Sequence, residues 1–434
     1  MTDDIDWLAV ERDVLARLKP FQRRTVEWAF ECLFPADDRP CTGRFLVADE
    51  VGLGKTLVAR GVLAKTLRHL QGKVGRVDVV YICSNADIAQ QNIRRLSIPA
   101  LEKVGFRSQG RLTLMPLIPL GKDGQPERPS ALPKTGVNFQ SLTPGTSLDF
   151  RNDPGHAEER ALLAVMVADA LPEVSMTRWR NLFTQQVGHE RFETLIDRVR
   201  TRYAIDPLLQ KRFSQQLRRR GEDGRTLLSR LAELSESFPR QRKYRHRDPD
   251  QREAATLIAD LRRTLAGVCI QALEPDLLIL DEFQRFPHLL DSHDPNAELA
   301  RQLYEHETDG RRTRVLMLSA TPYRMSSVGE SPEEGSHHDE FIAMVRFLLR
   351  DDEVALARLR DLLERFNDGL RTLDPADTAP LESLRDEIQA LLRGVMSRTD
   401  RTPTSEERDA MVLAPPAPVH PDASQMLAYV GLQR

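Results

Sequence analysis

The chain is short of cysteine and has no long apolar run, and each shortage removes a class of reading. Its four cysteines, Cys32, Cys41, Cys83 and Cys269, show no C-x-x-C spacing and fall in or beside apolar segments. That excludes a disulfide framework and predicts buried free thiols in a reducing compartment. No apolar stretch approaches membrane-spanning length. The first residues, M-T-D-D-I-D-W, are acidic where a secretory leader is basic, so a cytoplasmic protein with no membrane partner is expected. Lysine is scarce beside arginine, a bias we assign to genomic base composition. With a formal net charge of -3 there is no global cationic field, so any nucleic-acid surface has to be local. No internal repeat is present. What remains is a globular chain of 434 residues, 40% hydrophobic, with length for about two to three domains and a sizeable core.

The chain is organised around Ala48 to Thr56, A-D-E-V-G-L-G-K-T. The apolar run Phe45-Leu46-Val47-Ala48 before it reads as a buried parallel strand, and Thr56 to Leu63 after it follows a helical pattern. Strand, glycine loop and helix together bring backbone N–H groups against phosphate oxygens. Gly52 and Gly54, either side of Leu53, remove side-chain bulk where the chain must approach them. The helix starting near Lys55 turns the positive end of its dipole to the same phosphates. Lys55 reaches the β and γ groups, and the Thr56 hydroxyl is placed to ligate magnesium. Asp49 stands where the general phosphate-loop pattern has its first glycine.

Trp7 to Leu18 is helical in period, and Leu18-Lys19-Pro20-Phe21-Gln22 opens a second helix with Pro20 in its first turn. Val77 to Cys83 is a second β-branched strand, followed by Ser84-Asn85 and a helix from Ala86 to Asn92. Two successive β-to-α units imply a parallel sheet with right-handed crossovers. Leu112 to Leu120 reads as a further strand and Gly121 to Pro133 as a loop. The strand Val137 to Leu142 leads into Thr143-Pro144-Gly145-Thr146, a turn that offers backbone N–H groups and two hydroxyls to an anion. From about Pro154 to Leu273 the pattern is helical with no convincing strand; the predicted helices are Ala157 to Ala170, Glu190 to Arg202, Leu208 to Arg220, Arg225 to Glu236 and Gln251 to Ala272. Its part from Lys211 to Arg247 has twelve basic residues against four acidic ones, 12 − 4 = +8, interleaved with Phe213, Phe238 and Tyr244. A nucleic-acid phosphate contact or a solvated helix face both fit that pattern. Pro275 to Leu280 is an apolar strand ending in Asp281-Glu282-Phe283-Gln284. Carboxylates at the carboxyl end of a parallel strand lie where such sheets bind ligands, so Asp281 can share magnesium with Thr56 while Glu282 orients or deprotonates the attacking water. Val315 to Leu318 ends in Ser319-Ala320-Thr321-Pro322, whose hydroxyls are placed to bond to the Asp281-Glu282 loop. Beyond it Ser331 to Ser336 reads as a loop, Phe341 to Leu349, Glu353 to Phe366 and Leu381 to Met396 as helices, and Ala414 to Pro418 as a connector. His337-His338-Asp339-Glu340 reads as a solvated loop with no matching metal-ligand cluster.

Taken in order, these motifs resemble the first RecA-like lobe of superfamily 2 helicases and translocases, near their DEAH and chromatin-remodeller-like branches. A-D-E-V-G-L-G-K-T resembles their motif I, including the aspartate; L-I-L-D-E-F-Q resembles motif II and L-S-A-T-P motif III. The resemblance implies an α/β fold, a RecA-like parallel sheet of the P-loop NTPase kind with a long helical insertion and a helical C-terminal segment. It implies ATP and magnesium as cofactors and a nucleic-acid partner, DNA first. L-K-P-F-Q resembles the segment whose glutamine reads adenine, which gives that role to Gln22. Gln284 joins Lys55, Asp281 and Glu282 in the catalytic set. Ser84 and Asn85 fall at motif Ia, and T-P-G-T resembles motif Ib, so Ser84, Asn85, Thr143, Gly145 and Thr146 inherit contact with the nucleic-acid backbone. Ser319 and Thr321 inherit the coupling between nucleotide and strand. The sequence also resembles large bacterial helicase-like proteins associated with defence against foreign DNA.

The implied division is an N-terminal helix over 1–19, a lobe in two parts over 20–153 and 274–350, an insertion over 154–273, and a helical segment with a connector over 351–434. The insertion is long for this family and the usual second lobe is missing from the pattern. The chain is therefore expected to be an amino-terminal fragment, or a subunit that takes a second RecA-like lobe in cis or from a partner. Two other classes fit the same motifs: a nucleotide-gated module that recruits a nuclease or methylase without translocation, and a P-loop ATPase acting on protein complexes.

Overall fold

Side chains alternate along the central strands and so divide between two faces, each of which must be covered. The computed structural model describes residues 5–36, 41–84, 86–102, 111–132, 134–148, 150, 154–221, 224–239, 248–283, 289, 297–319, 332–372 and 378–399. In chain order these hold α1 (Trp7–Ala16), α2 (Pro20–Leu33), β1 (Arg44–Val47), α3 (Lys55–Leu70), β2 (Arg76–Cys83), α4 (Ala86–Leu96), α5 (Pro99–Glu102), β3 (Leu117–Pro119), β4 (Gly136–Leu142) and α6 (Pro144–Ser147). The middle of the chain adds α7 (Ala157–Ala170), α8 (Met176–Thr184), α9 (His189–Arg202), β5 (Tyr203–Ile205), α10 (Pro207–Leu217), α11 (Leu227–Glu236) and α12 (Pro249–Leu273). There follow β6 (Leu277–Asp281), α13 (Glu298–Tyr304), the hairpin β7 (Glu307–Thr308) and β8 (Arg311–Arg312), β9 (Arg314–Leu318), α14 (Pro332–Leu348), α15 (Glu353–Arg371), α16 (Ala379–Arg393) and β10 (Met396–Ser397).

Six of the strands form one parallel sheet in the order β10-β1-β9-β6-β2-β4. This is the α/β, RecA-like class expected from the motifs. Phe45, Val47, Val79, Tyr81, Leu277, Ile279, Leu316 and Leu318 point to one face and pack with Trp7, Val26, Val62, Leu67 and Ile93 from α1 to α4. Leu46, Val80, Ile82, Leu278, Leu280, Val315 and Met317 point to the other, against Leu162, Phe192, Leu265, Ile270 and Phe341. The helices between β4 and β6 therefore form the second layer of the sandwich, and α12 is the crossover helix that feeds β6.

That layer is pinned by a buried ion network. Glu159 on α7, with no exposed surface, accepts from Arg262 of α12 (3.1 Å), Arg111 (2.9 Å), Thr113 (2.5 Å) and the His156 N–H (3.0 Å). Burial alone would push its carboxyl up, but these donors outweigh burial and hold it below the ordinary range.

Several expectations are corrected. Leu112 to Leu120 is a 3-10 turn followed by β3, which pairs antiparallel with β5 of the supposedly strand-free insertion and not with the main sheet. Pro116 and Pro119 cannot donate to a ladder, which confines the segment to an edge. A helix, α8, lies where none was expected; Ser175 ahead of Trp179, Leu182 and Phe183 was its signal. Ser331 to Ser336 and His337 to Glu340 read as loop in the sequence, yet from Pro332 onward they lie on α14, and Ser331 is outside the described residues. Proline suits a first helical turn and the following acidic pair suits the dipole there. Cys41 is exposed, beside Arg314, and Cys32 is half-buried, so the burial expected of the thiols holds for Cys83 and Cys269. A short strand after α16, β10, pairs with β1 and takes the Ala48 N–H onto the Ser397 carbonyl at 2.8 Å.

Candidate active site

The glycine loop leaves the carboxyl end of β1 and turns on two glycines in the left-handed region, Gly52 at φ +84° and Gly54 at φ +86°. That conformation favours glycine, and a β-carbon at Gly54 would also meet the Gln22 Nε2 at 2.6 Å. The loop closes on itself through Lys55, whose Nζ donates to the carbonyls of Asp49 (2.8 Å) and Glu50 (3.1 Å). Gln22, in the first turn of α2, is engaged at both ends of its amide. Its Oε1 accepts from the Lys19 N–H at 3.0 Å and its Nε2 donates to the Leu53 carbonyl at 2.8 Å. The segment expected to read the base therefore rests directly on the loop expected to hold the phosphates.

The sheet brings the distant carboxylates to this loop. β9 lies between β1 and β6, and backbone bonds stitch the three strand ends together: Ser319 N–H to the Val47 carbonyl and Glu282 N–H to the Leu318 carbonyl, both 3.1 Å. Asp49, Asp281 and Glu282 all lie close enough to act on the Lys55 ammonium, in that order of strength. Burial lowers its pKa while the three carboxylates raise it. Lys55 and Asp281, 226 positions apart by 281 − 55, are thus brought to the same edge of one sheet. The Ser319 segment reaches the acidic loop through main chain, by way of Leu318.

Asp281 is fixed by neutral donors. Its Oδ2 accepts from the Tyr81 hydroxyl at 2.5 Å and from the Asn92 amide at 3.1 Å, and Asn92 also donates to the Tyr81 oxygen at 3.2 Å. Burial raises the Asp281 pKa, the Tyr81 bond works against that, and Glu282 next to it adds to it. Burial beside Asp281 keeps the Tyr81 phenol protonated and hence a donor. Glu282 stands at φ +52°, a left-handed backbone that costs a residue with a β-carbon roughly 1–2 kcal/mol, and its Oε2 accepts from the Ser84 hydroxyl at 3.2 Å. Tyr81 and Asn92 were not among the residues singled out from sequence. Their signal was weak: a polar group inside an apolar strand, and an amide one helix turn and a half past the Ser84 turn.

The remaining expected residues sort by strand. Thr143, buried, precedes the one-turn α6 at the end of β4, with Gly145 exposed beside it. Since Ile82 pairs with Leu142, this turn and Ser84 lie at adjoining strand ends. Thr146 is described by its backbone alone, and Asn85, Gln284 and Thr321 lie outside the described residues. In the basic stretch, Phe213 and Phe238 are core residues and do not interleave with its charges on the surface. Arg240 to Arg247 lie outside the described residues. Among the described residues no group of three or more His, Cys, Asp or Glu could hold a metal by itself, and no helix is long and apolar enough to cross a membrane.

No family model matches the sequence, and no curated protein matches it. Among solved structures, the Sulfolobus solfataricus SWI2/SNF2 ATPase core in complex with dsDNA is similar, with a TM-score of 0.34 and 10% identity over 88% of this chain and 44% of that one. The chain spans less than half the length of that structure.

Proposed function

We propose that this chain is the ATP-binding lobe of a nucleic-acid-dependent ATPase of the superfamily 2 helicase or double-strand DNA translocase kind, which takes a second RecA-like lobe for efficient turnover. One observation carries the reading: the Lys55 ammonium lies in the field of Asp281 and Glu282, residues that only the sheet order can bring to it. The donor set fits a magnesium-bound triphosphate. Three carboxylates face one ammonium, and a small hard cation that keeps waters and phosphate oxygens needs only one or two protein ligands. Thr56 and Asp281 would supply those ligands. The main-chain N–H groups of Gly52, Leu53 and Gly54 would cradle phosphates, and Lys55 would neutralise charge at the transferred group. Magnesium, when bound, screens the phosphates and stabilises charge on the leaving group. Glu282 orients the attacking water and accepts its proton, with Gln284 beside it in sequence. Gln22 binds the base. Ser84, Asn85, Thr143, Gly145 and Thr146 hold nucleic-acid phosphates along the β2–β4 half of the edge, and Ser319 and Thr321 relay nucleotide state.

The isolated chain is expected to bind magnesium-ATP, to hydrolyse it slowly, and to respond to DNA by no more than a few-fold. Arginine fingers of a second lobe are worth on the order of 10³ to 10⁵ in rate in related NTPases. Titration calorimetry with a non-hydrolysable ATP analogue, and phosphate release with and without DNA, test this. ATP binding that survives Lys55→Ala unchanged would sink the site, and brisk DNA-stimulated turnover by the pure chain would sink the need for a second lobe.

A further inference from the structure

A strand of two residues has little of its own to hold it in a sheet, so β10 depends on the few groups that fasten it. It lies at the sheet edge beside β1, with Met396 opposite Leu46 and Ser397 opposite Val47. The Leu46 N–H donates to the Val395 carbonyl and the Ala48 N–H to the Ser397 carbonyl, both at 2.8 Å. Apolar burial adds little before it, since Ile388 is the one buried residue of α16. The remaining fastening is a side chain. The last carbonyls of a helix have no partner within it, and the carbonyl of Arg393, which ends α16, accepts from the Trp28 indole N–H at 2.8 Å. Trp28 is 43% exposed, whereas Trp7 and Trp179 have no exposed surface. With that much of its ring in water, Trp28 holds α16 chiefly through this bond. Both anchors of the strap lead to the glycine loop. Ala48 immediately precedes Asp49, and Trp28 lies on α2, whose Gln22 donates to the Leu53 carbonyl. The segment from Arg393 to Ser397 is thus clipped to the strand that enters the loop and to the helix that braces it.

We propose that Trp28 is a positioning residue for the nucleotide site: by holding the end of α16 it keeps β10 paired with β1, and so fixes the strand from which the glycine loop starts. Seating of the strap and occupation of the loop are then linked, and the linkage is reciprocal. A seated strap fixes the Ala48 end of the loop and favours nucleotide. Bound nucleotide fixes the loop and keeps the strap seated. The residues past Arg398 are joined to this lobe through the strap, so a partner that pulls on them is felt at the loop. The inference rests on the reading that the glycine loop holds a nucleotide, and adds to it an element outside the loop that answers to occupancy.

The test is amide hydrogen exchange over Leu46 to Ala48 and over Val395 to Arg398 in the full chain, with and without a saturating non-hydrolysable ATP analogue and magnesium. In the parent the analogue should slow exchange over both segments at least about three-fold, and in Lys55→Ala it should slow neither. Trp28→Phe keeps an aromatic ring and loses the donor. Without nucleotide it should speed exchange over both segments about three- to ten-fold and leave β6 and β9 unmoved. Ser397→Pro, which cannot donate to a ladder, should weaken binding of the analogue at least about three-fold, whereas Ser397→Ala, which keeps the main chain, should match the parent. If Ser397→Pro melts early, the exchange of Trp28→Phe decides. Exchange over Val395 to Arg398 that the analogue leaves unchanged in the parent, or that Trp28→Phe leaves unchanged, would overturn the inference while the proposed function stands. A parent that binds no analogue would overturn both.

Discussion

The two ends of the same strands bury carboxylates in opposite ways. At the amino ends of β2 and β6, Asp78 accepts from both Nε (2.8 Å) and Nη2 (2.5 Å) of Arg76 and from the Asn138 amide (2.8 Å). Asp276 accepts from the Asp78 N–H (2.9 Å) and from Arg311 (2.8 Å). Two carboxylates there meet two guanidinium groups, and the charge is closed within the protein. At the carboxyl ends, Asp49, Asp281 and Glu282 act on Lys55, which donates to two carbonyls of its own loop, while Asp281 is held by neutral groups. The Asp281 charge is left open. Burial is costly for a carboxylate held by neutral donors, so on the proposed function Asp281, at the edge where parallel sheets bind ligands, is matched to a cation that arrives with the ligand. On the proposed function, closed clusters hold the fold together, and the open carboxylate of Asp281 serves the chemistry.

If that division is right, breaking a closed cluster costs stability and breaking the open one costs turnover. The largest effect is expected in the insertion, where Glu159 is closed by Arg262 and Arg111. Glu159→Ala removes the carboxylate bonded to the buried Arg262 and Arg111 and should cost about 3–5 kcal/mol of stability, read as a fall in the denaturant midpoint. Loss of ATP turnover at unchanged stability in this variant would contradict the division. Next, Asp281→Asn removes a buried charge with little change in shape. It should lower turnover by about 100-fold or more while the melting temperature holds or rises. A marked drop in stability would show that Asp281 is structural.

Asp78 tests the same contrast through pH. Burial outweighs Arg76 and Asn138 and raises its pKa to about 7 from the ordinary 3.8. Its contribution to stability is therefore fully present below about pH 4 and is lost as pH rises through about 7. The slope is at most about 1.4 kcal/mol per pH unit across that window. Asp78→Asn, which stays neutral, should flatten the fall in stability between pH 4 and 7 and leave ATP turnover unchanged. Equal slopes in the parent and the variant would remove Asp78 from the titration.

The site was more legible in the sequence than its supports. Lys55 and Asp281 could be joined from afar because a glycine loop and an acidic pair after apolar strands force both to the carboxyl edge of one sheet. The helix α12 was legible because its apolar period is long, and α7 because its apolar run is longer than a strand. Partners such as Tyr81 and Asn92 were not, since a hydrogen bond between residues 200 positions apart leaves no period or spacing behind. Nor was β10, a two-residue strand whose pairing comes from β1 and not from its own propensity. Phe213 and Phe238 misled for a related reason: beside arginines in sequence, they face inward in space.

The weakest expected effect belongs to the basic stretch, and the contrast between closed and open charge decides how it should be probed. Arg225 is paired with Glu233 and Arg230 with Asp260, so these two are closed and should add little to a nucleic-acid footprint. Lys211, Arg219 and Arg220 are exposed on and after α10, and Arg242, Lys243, Arg245 and Arg247 extend the charge further along the chain. With Phe213 and Phe238 in the core, the described part of the stretch offers charge to phosphates and no ring to stack on a base. Neutralising Lys211, Arg219 and Arg220 together, or the four residues from Arg242 to Arg247, should lower the slope of log Kd against log salt by up to about 0.9 for each phosphate that is no longer neutralised. Sequence preference and DNA-free ATP turnover should not move. A slope that stays the same in both variants would take the stretch out of the footprint and leave nucleic-acid binding to the Ser84 and Gly145 turns alone.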